Sequence, residues 1–108
     1  MEFRKGVLFV RLSGTVNHQT YHQIKQINHL IQENGIKYMV LNVEELQTIN
    51  EIGMNVLKTT MKLIAEHHGK CIICGHDEQL NRKLEQCLYI EDNCSVENEL
   101  NALKLINI

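Results

Sequence analysis

Residues Tyr38–Val43 read Tyr-Met-Val-Leu-Asn-Val, a near-continuous apolar run. A strand with one wet face alternates apolar and polar residues. A run without alternation needs cover on both faces, as in a parallel sheet clad by helices. The flanking segments supply that cover. Upstream, Tyr21, Ile24, Ile27, Leu30 and Ile31 recur at helical spacing, with Thr20 as N-cap and Asn34-Gly35 as a left-handed stop. Downstream, Met54, Leu57, Met61, Ile64 and Ala65 form a second helical stripe, which Gly69 ends. Between them, Thr48–Val56 reads as the loop that turns the buried strand into this helix.

The same alternation continues towards both termini. Val7–Leu12, bounded by Gly6 and Gly14, has strand composition, and Phe3–Lys5 can pair with it as a short antiparallel edge. Ser13–Gln19 reads as a polar connector. Cys71–Cys74 is a short buried strand ended by Gly75, and Asp77 caps a third helix carrying Leu80, Leu84 and Leu88. Tyr89-Ile90 reads as a brief strand. A last helix starts at about Ser95, its N-cap, and carries Leu100, Leu103 and Leu105. The expected fold is α/β. One domain spans residues 1–108, with a mostly parallel sheet of about four to five strands and about four helices.

Composition narrows the function classes. The 108 residues suffice for one hydrophobic core, and 44% apolar with 22% charged residues is ordinary for a soluble domain. A net charge of -2 without any basic block gives no electrostatic footing for nucleic acid. No apolar run approaches the roughly 20 residues of a membrane span. Charge interrupts the first residues too early for a signal peptide, so a cytoplasmic protein is expected. The cysteines, at 71, 74, 87 and 94, crowd the C-terminal part and do not frame a disulfide scaffold.

Candidate chemistry is thin. His67-His-Gly-Lys-Cys-Ile-Ile-Cys-Gly-His76 contains zinc-ligating residue types. If residues 71–74 form a strand, however, Cys71 and Cys74 point to opposite faces, and Ile-Ile is a poor turn. They are expected to be core thiols. His22 and His29 share a helical face about 10 Å apart, too far for one ion. The only serines, Ser13 and Ser95, sit in no nucleophile elbow, and no phosphate-binding glycine loop is present. No catalytic, cofactor or metal site is expected.

Three stretches taken together carry a likeness: Leu12-Ser-Gly-Thr-Val-Asn17 with Thr20 soon after, Val40–Leu46, and Ile49-Asn-Glu-Ile-Gly-Met54. In combination they resemble the STAS domain family, shared by bacterial anti-sigma-factor antagonists and sulphate-transporter tails. The likeness covers almost the whole chain. The antagonists usually read Leu-x-Gly-x-x-Asp before the first helix and Asp-Ser-Ser-Gly-Leu-Gly after the central strand. Their second serine is phosphorylated by an anti-sigma factor that is also a kinase, and phosphorylation releases that partner. Here Asn50 falls on the aspartate, Glu51 on the first serine, Ile52 on the phosphoacceptor, Gly53 on the glycine, Met54 on the leucine and Asn55 on the second glycine.

The resemblance implies a non-enzymatic module that binds an anti-sigma factor or a related regulatory protein. Its docking surface would comprise Asn17, His18, Asn50, Glu51, Ile52, Gly53, Met54 and Asn55. Ile52 and Met54 would be apolar anchors, with Asn17, His18 and Asn50 as a polar rim. Glu51 near a helix start would suit the macrodipole. The alternatives are a scaffolding subunit of a larger complex and a small-ligand sensor; the plain reading of Ile52 itself is that it merely tucks into the core of a domain whose function has drifted.

Overall fold

A computed structural model describes residues 2–4, 6–16, 21–88 and 95–106. Along the chain come β1 (Glu2–Arg4), β2 (Val7–Val16), α1 (Tyr21–Asn34), β3 (Tyr38–Ile49), α2 (Glu51–Glu66), β4 (Lys70–Cys74), α3 (Glu78–Cys87), β5 (Ser95–Val96) and α4 (Glu99–Ile106). The strands form one sheet in the order β1-β2-β3-β4-β5. β1 is antiparallel to β2, and every later pairing is parallel. This is the α/β sheet that the central apolar run requires.

Alternate strand residues feed two cores. Leu8, Val10, Met39, Leu41, Val43, Cys71 and Ile73 pack with Ile24, Ile27 and Ile31 of α1, Leu57, Met61 and Ile64 of α2, and Leu84 of α3. On the other face Val7, Phe9, Val40, Ile72 and Cys74 pack with Ala102 of α4. Cys71 and Cys74 therefore do look to opposite faces of β4. Among the described residues no group of three or more His, Cys, Asp or Glu side chains is placed to hold a metal. None of the described helices is long and apolar enough to cross a membrane.

Four local expectations need correction. Ser13–Gln19 is not wholly a connector, because β2 runs on to Val16. Likewise β3 does not stop at Val43 but reaches Ile49, so Thr48 lies in a strand rather than a loop. The two strands stay paired, Thr15 with Thr48 and Val16 with Ile49, across register shifts on either side of Ser13 and Gly14. Gly14, at φ +65°, takes a backbone conformation other residues resist. Polar side chains concealed this extension, since the ribbon has an open face.

The second helix ends differently from expectation: Ala65 is exposed, and the left-handed residue is His68, at φ 58°. Gly69 is required for a closer reason. A Cβ there would lie 2.0 Å from the Lys37 carbonyl oxygen, the atom to which Lys70 N–H donates at 2.7 Å. Finally, the last helix starts at Glu99 and not at Ser95. Ser95 and Val96 pair with Ile73 and Cys74, Gly75 N–H donates to the Val96 carbonyl, and Asn98 Oδ1 receives Asn101 N–H. Leu100 and Leu105 face outward, while Ala102 is the buried residue. The caps at Gly35 (φ +59°) and Asp77, whose side chain accepts Leu80 N–H, are as expected. Thr20, Lys5, Tyr89-Ile90 and Cys94 lie outside the described residues.

Candidate partner-docking site

The turn from β3 into α2 sits at the C-terminal edge of the parallel strands, where open α/β sheets commonly place their sites. Asn50 builds it. Its backbone is extended (φ −87°, ψ 176°), and its side-chain oxygen accepts Gly53 N–H at 2.8 Å. This caps one of the donors that a helix start leaves unpaired. Asn50 N–H donates to the Val16 carbonyl at 3.1 Å, and Met54 N–H closes the first helical bond on the Asn50 carbonyl at 2.9 Å. The helix start is thus fastened to the end of β2 as well as to β3.

That fastening fixes which side chains face out. Glu51, Ile52 and Asn55 are exposed, Ile52 by 52%. Ile52 belongs to neither core cluster. Gly53 is buried, and Val16 and Ile49 leave no free room there for a Cβ. Met54 is half-buried and packs on the larger core, so part of its side chain supports the helix start from within. The helical stripe of α2 turns Met54 inward, two residues from Ile52 and about 200° around the axis. Asn17 and His18 lie outside the described residues.

Beside Ile52 runs a cleft of about 320 Å³ between α1 and α2, lined by Lys25, Asn28, Ile52, Asn55, Val56 and Thr59. The two helices are tied beneath it by a hydrogen bond from the Thr60 hydroxyl to Asn28 Oδ1. The sequence stretches that resemble the family gave no hint of Lys25, Asn28 and Thr59. They flank the apolar stripes of two helices, and only the adjacency of α1 and α2 on one sheet face brings them to Ile52. Glu51, an acid in the first turn, complements the helix dipole. The assembled surface offers an apolar side chain beside a shallow cleft lined by a lysine, a threonine hydroxyl and amide groups. An apolar centre with a polar surround is the makeup of a protein-contact patch.

The profile of the STAS domain family matches residues 1–101. The chain belongs to this family. The STAS chain is 30% identical over 109 residues to the anti-sigma F factor antagonist of Paenibacillus polymyxa, covering 100% of this chain and 93% of that protein. Its fold is similar to that of the anti-sigma factor antagonist SpoIIAA in its unphosphorylated form, with a TM-score of 0.80 at 18% identity over 99% of this chain and 94% of that one. It is also similar to a sulfate transporter family protein from Wolinella succinogenes, with a TM-score of 0.76 at 17% identity over 99% and 89% of the two chains. The same fold is thus found in an anti-sigma factor antagonist and in a sulfate transporter family protein.

Proposed function

We propose that this STAS domain is a cytoplasmic, non-enzymatic regulatory module that holds an anti-sigma factor, or a related regulatory protein, through the opening turn of α2. The observation carrying this reading is Ile52. It is a half-exposed apolar side chain on a capped helix start, beside a cleft, in a chain 30% identical to an antagonist. In our reading of the motif Ile52 stands where the antagonists usually carry their phosphoacceptor serine. A phosphoryl group would bring about −1.5 to −2 charge to the contact and eject the partner. Isoleucine has no hydroxyl, so this residue cannot be silenced that way. The contact is constitutive, and its control lies in abundance or in the partner.

Capture on immobilised protein followed by mass spectrometry tests the reading. An anti-sigma factor or related regulator is the expected catch; recovery of transporter or scaffold components alone would defeat it. Incubation of the captured complex with ATP is expected to leave the nearby hydroxyls of Thr48, Thr59 and Thr60 unlabelled. Stoichiometric phosphate on one of them would show that another residue has taken over the acceptor role.

A further inference from the structure

The two faces of the sheet are covered unequally. Helices of 14, 16 and 10 residues lie on one face. On the other, among the described residues, only α4 packs, and it has eight residues. Beneath it lie Val7, Phe9, Val40, Ile72 and Cys74, all buried. Its own inward contribution is small: Ala102 is fully buried, Leu103 and Ile106 are half-buried, and Leu100 and Leu105 turn away from the sheet. A helix this short has little stability of its own and persists through its contacts. A polar clamp supplies part of them. Glu99, the first helical residue, accepts from Arg11 Nε and from an Arg11 terminal nitrogen, each at 2.8 Å, and from Asn42 Nδ2 at 2.9 Å. One carboxylate thereby fastens α4 to both β2 and β3.

We infer that α4 is a strap that lifts from the sheet as a local unit, with Glu99 as its fastening, while the five-stranded core stays folded. Segments with few buried apolar contacts open at a fraction of the global free energy. The exposed bend at Glu97 and Asn98 is the hinge. Lifting bares an apolar strip on Val7, Phe9, Val40 and Ile72, the kind of surface proteins keep hidden unless it is in use. The strap lies on the face opposite α1 and α2, so its operation does not depend on the docking role of Ile52.

Cys74 reports on the strap. It is 0% exposed beneath α4, while Cys71, on the same strand, faces α1 and α2 and is 7% exposed. Burial first, then the Glu99 and Glu44 carboxylates, push the Cys74 thiol up to about 12, so it reacts only when uncovered. The experiment labels the native protein with iodoacetamide at about pH 8, within the window where ordinary thiols react, and reads each cysteine by mass spectrometry. The static structure would put Cys71 first. The strap puts Cys74 first, at a rate that rises less steeply with urea than that of Cys71, which tracks global unfolding. Arg11→Gln, which removes the charged donor to Glu99, should speed Cys74 about tenfold through the loss of charge-assisted bonds and leave Cys71 unchanged, whereas losing that cation without any lifting would only push the Cys74 thiol further up and slow it. Hydrogen exchange on residues 99–106 should likewise outrun that of β3 in the wild type. Cys74 reacting only with global unfolding, both thiols accelerating equally in the variant, or α4 amides exchanging at the rate of the sheet would each overturn the strap.

Discussion

Replacing Gly53 by alanine sets two effects against each other. Alanine favours a helix over glycine by about 1 kcal/mol, and Gly53 stands in the first turn of α2. The added methyl, however, would lie 2.8 Å from Val16 Cγ1, 3.1 Å from the Val16 carbonyl oxygen and 3.2 Å from Ile49 Cγ1. Non-bonded carbons sit comfortably at about 3.5–4.0 Å. Val16 is 1% exposed and cannot swing into solvent. Its carbonyl also receives Asn50 N–H, so retreat of the strand end would loosen the helix fastening. Overpacking of this kind costs about 1–3 kcal/mol. After the helix gain is set against it, we expect a net loss of about 0–2 kcal/mol, centred on about 1 kcal/mol, which is about 4–8 °C in Tm for a domain of this size. Urea unfolding followed by circular dichroism measures it, with an unchanged m-value expected because the surface exposed on unfolding is the same. A Gly53→Ala protein more stable than the wild type by the full helix gain of about 1 kcal/mol would refute the tight seating of the helix start on β2. The fixed outward presentation of Ile52 would go with it.

Three further outcomes follow from the same geometry. Ile52→Asp should shift folding stability by less than about 1 kcal/mol, since half the side chain is already in water and an acid suits a helix start. It should weaken binding to the captured regulator by at least about 2 kcal/mol in titration calorimetry; unchanged affinity would remove Ile52 from the interface. Asn50→Ala should cost about 1 kcal/mol of stability through loss of the cap to Gly53, and a variant melting with the wild type would show that the cap bond contributes nothing. Cys74 sets a pH dependence. Its folded-state value, about 12, stands above the ordinary 9.0. The unfolded chain therefore releases that proton first. The associated stability is complete below pH 9 and is lost between the two values, at up to about 1.4 kcal/mol per pH unit. Urea midpoints across that range should fall less steeply for Cys74→Ala than for the wild type; identical slopes would contradict the burial of this thiol.

Where the sequence carried local signals, they were sufficient. The apolar run at Tyr38–Val43, the stripes of α1 and α2 and the caps at Gly35 and Asp77 each reflect neighbours within a few residues, and the element order followed from them. The misreadings arose where partners are distant in sequence. Ser95 looks like an N-cap until β4 claims Ser95 and Val96 as a strand. Residues 13–16 and 44–49 look like loops because their side chains are mostly polar, yet they hold each other through strand pairing. Gly69 reads as a helix stop, but what demands it is the Lys37 backbone. At the candidate site, the outward Ile52 was legible from its place at a helix start. The inward turn of Met54 and the contribution of Lys25, Asn28 and Thr59 depend on how α1 and α2 lie together.

β3 pairs with β4 only from Tyr38 to Asn42, and its remaining residues continue alongside β2 alone. At about 3.3 Å per residue, the stretch from Val43 to Ile49 carries the chain some 20 Å past the last rung shared with β4. The start of α2 therefore stands at the end of the β2–β3 ribbon, beyond the last β4 rung, while Glu44 of that ribbon still lies 3.1 Å from His76 after β4. A neighbour covering that end would meet β2, β3 and α2 together, and α4 lies on the other face of the sheet.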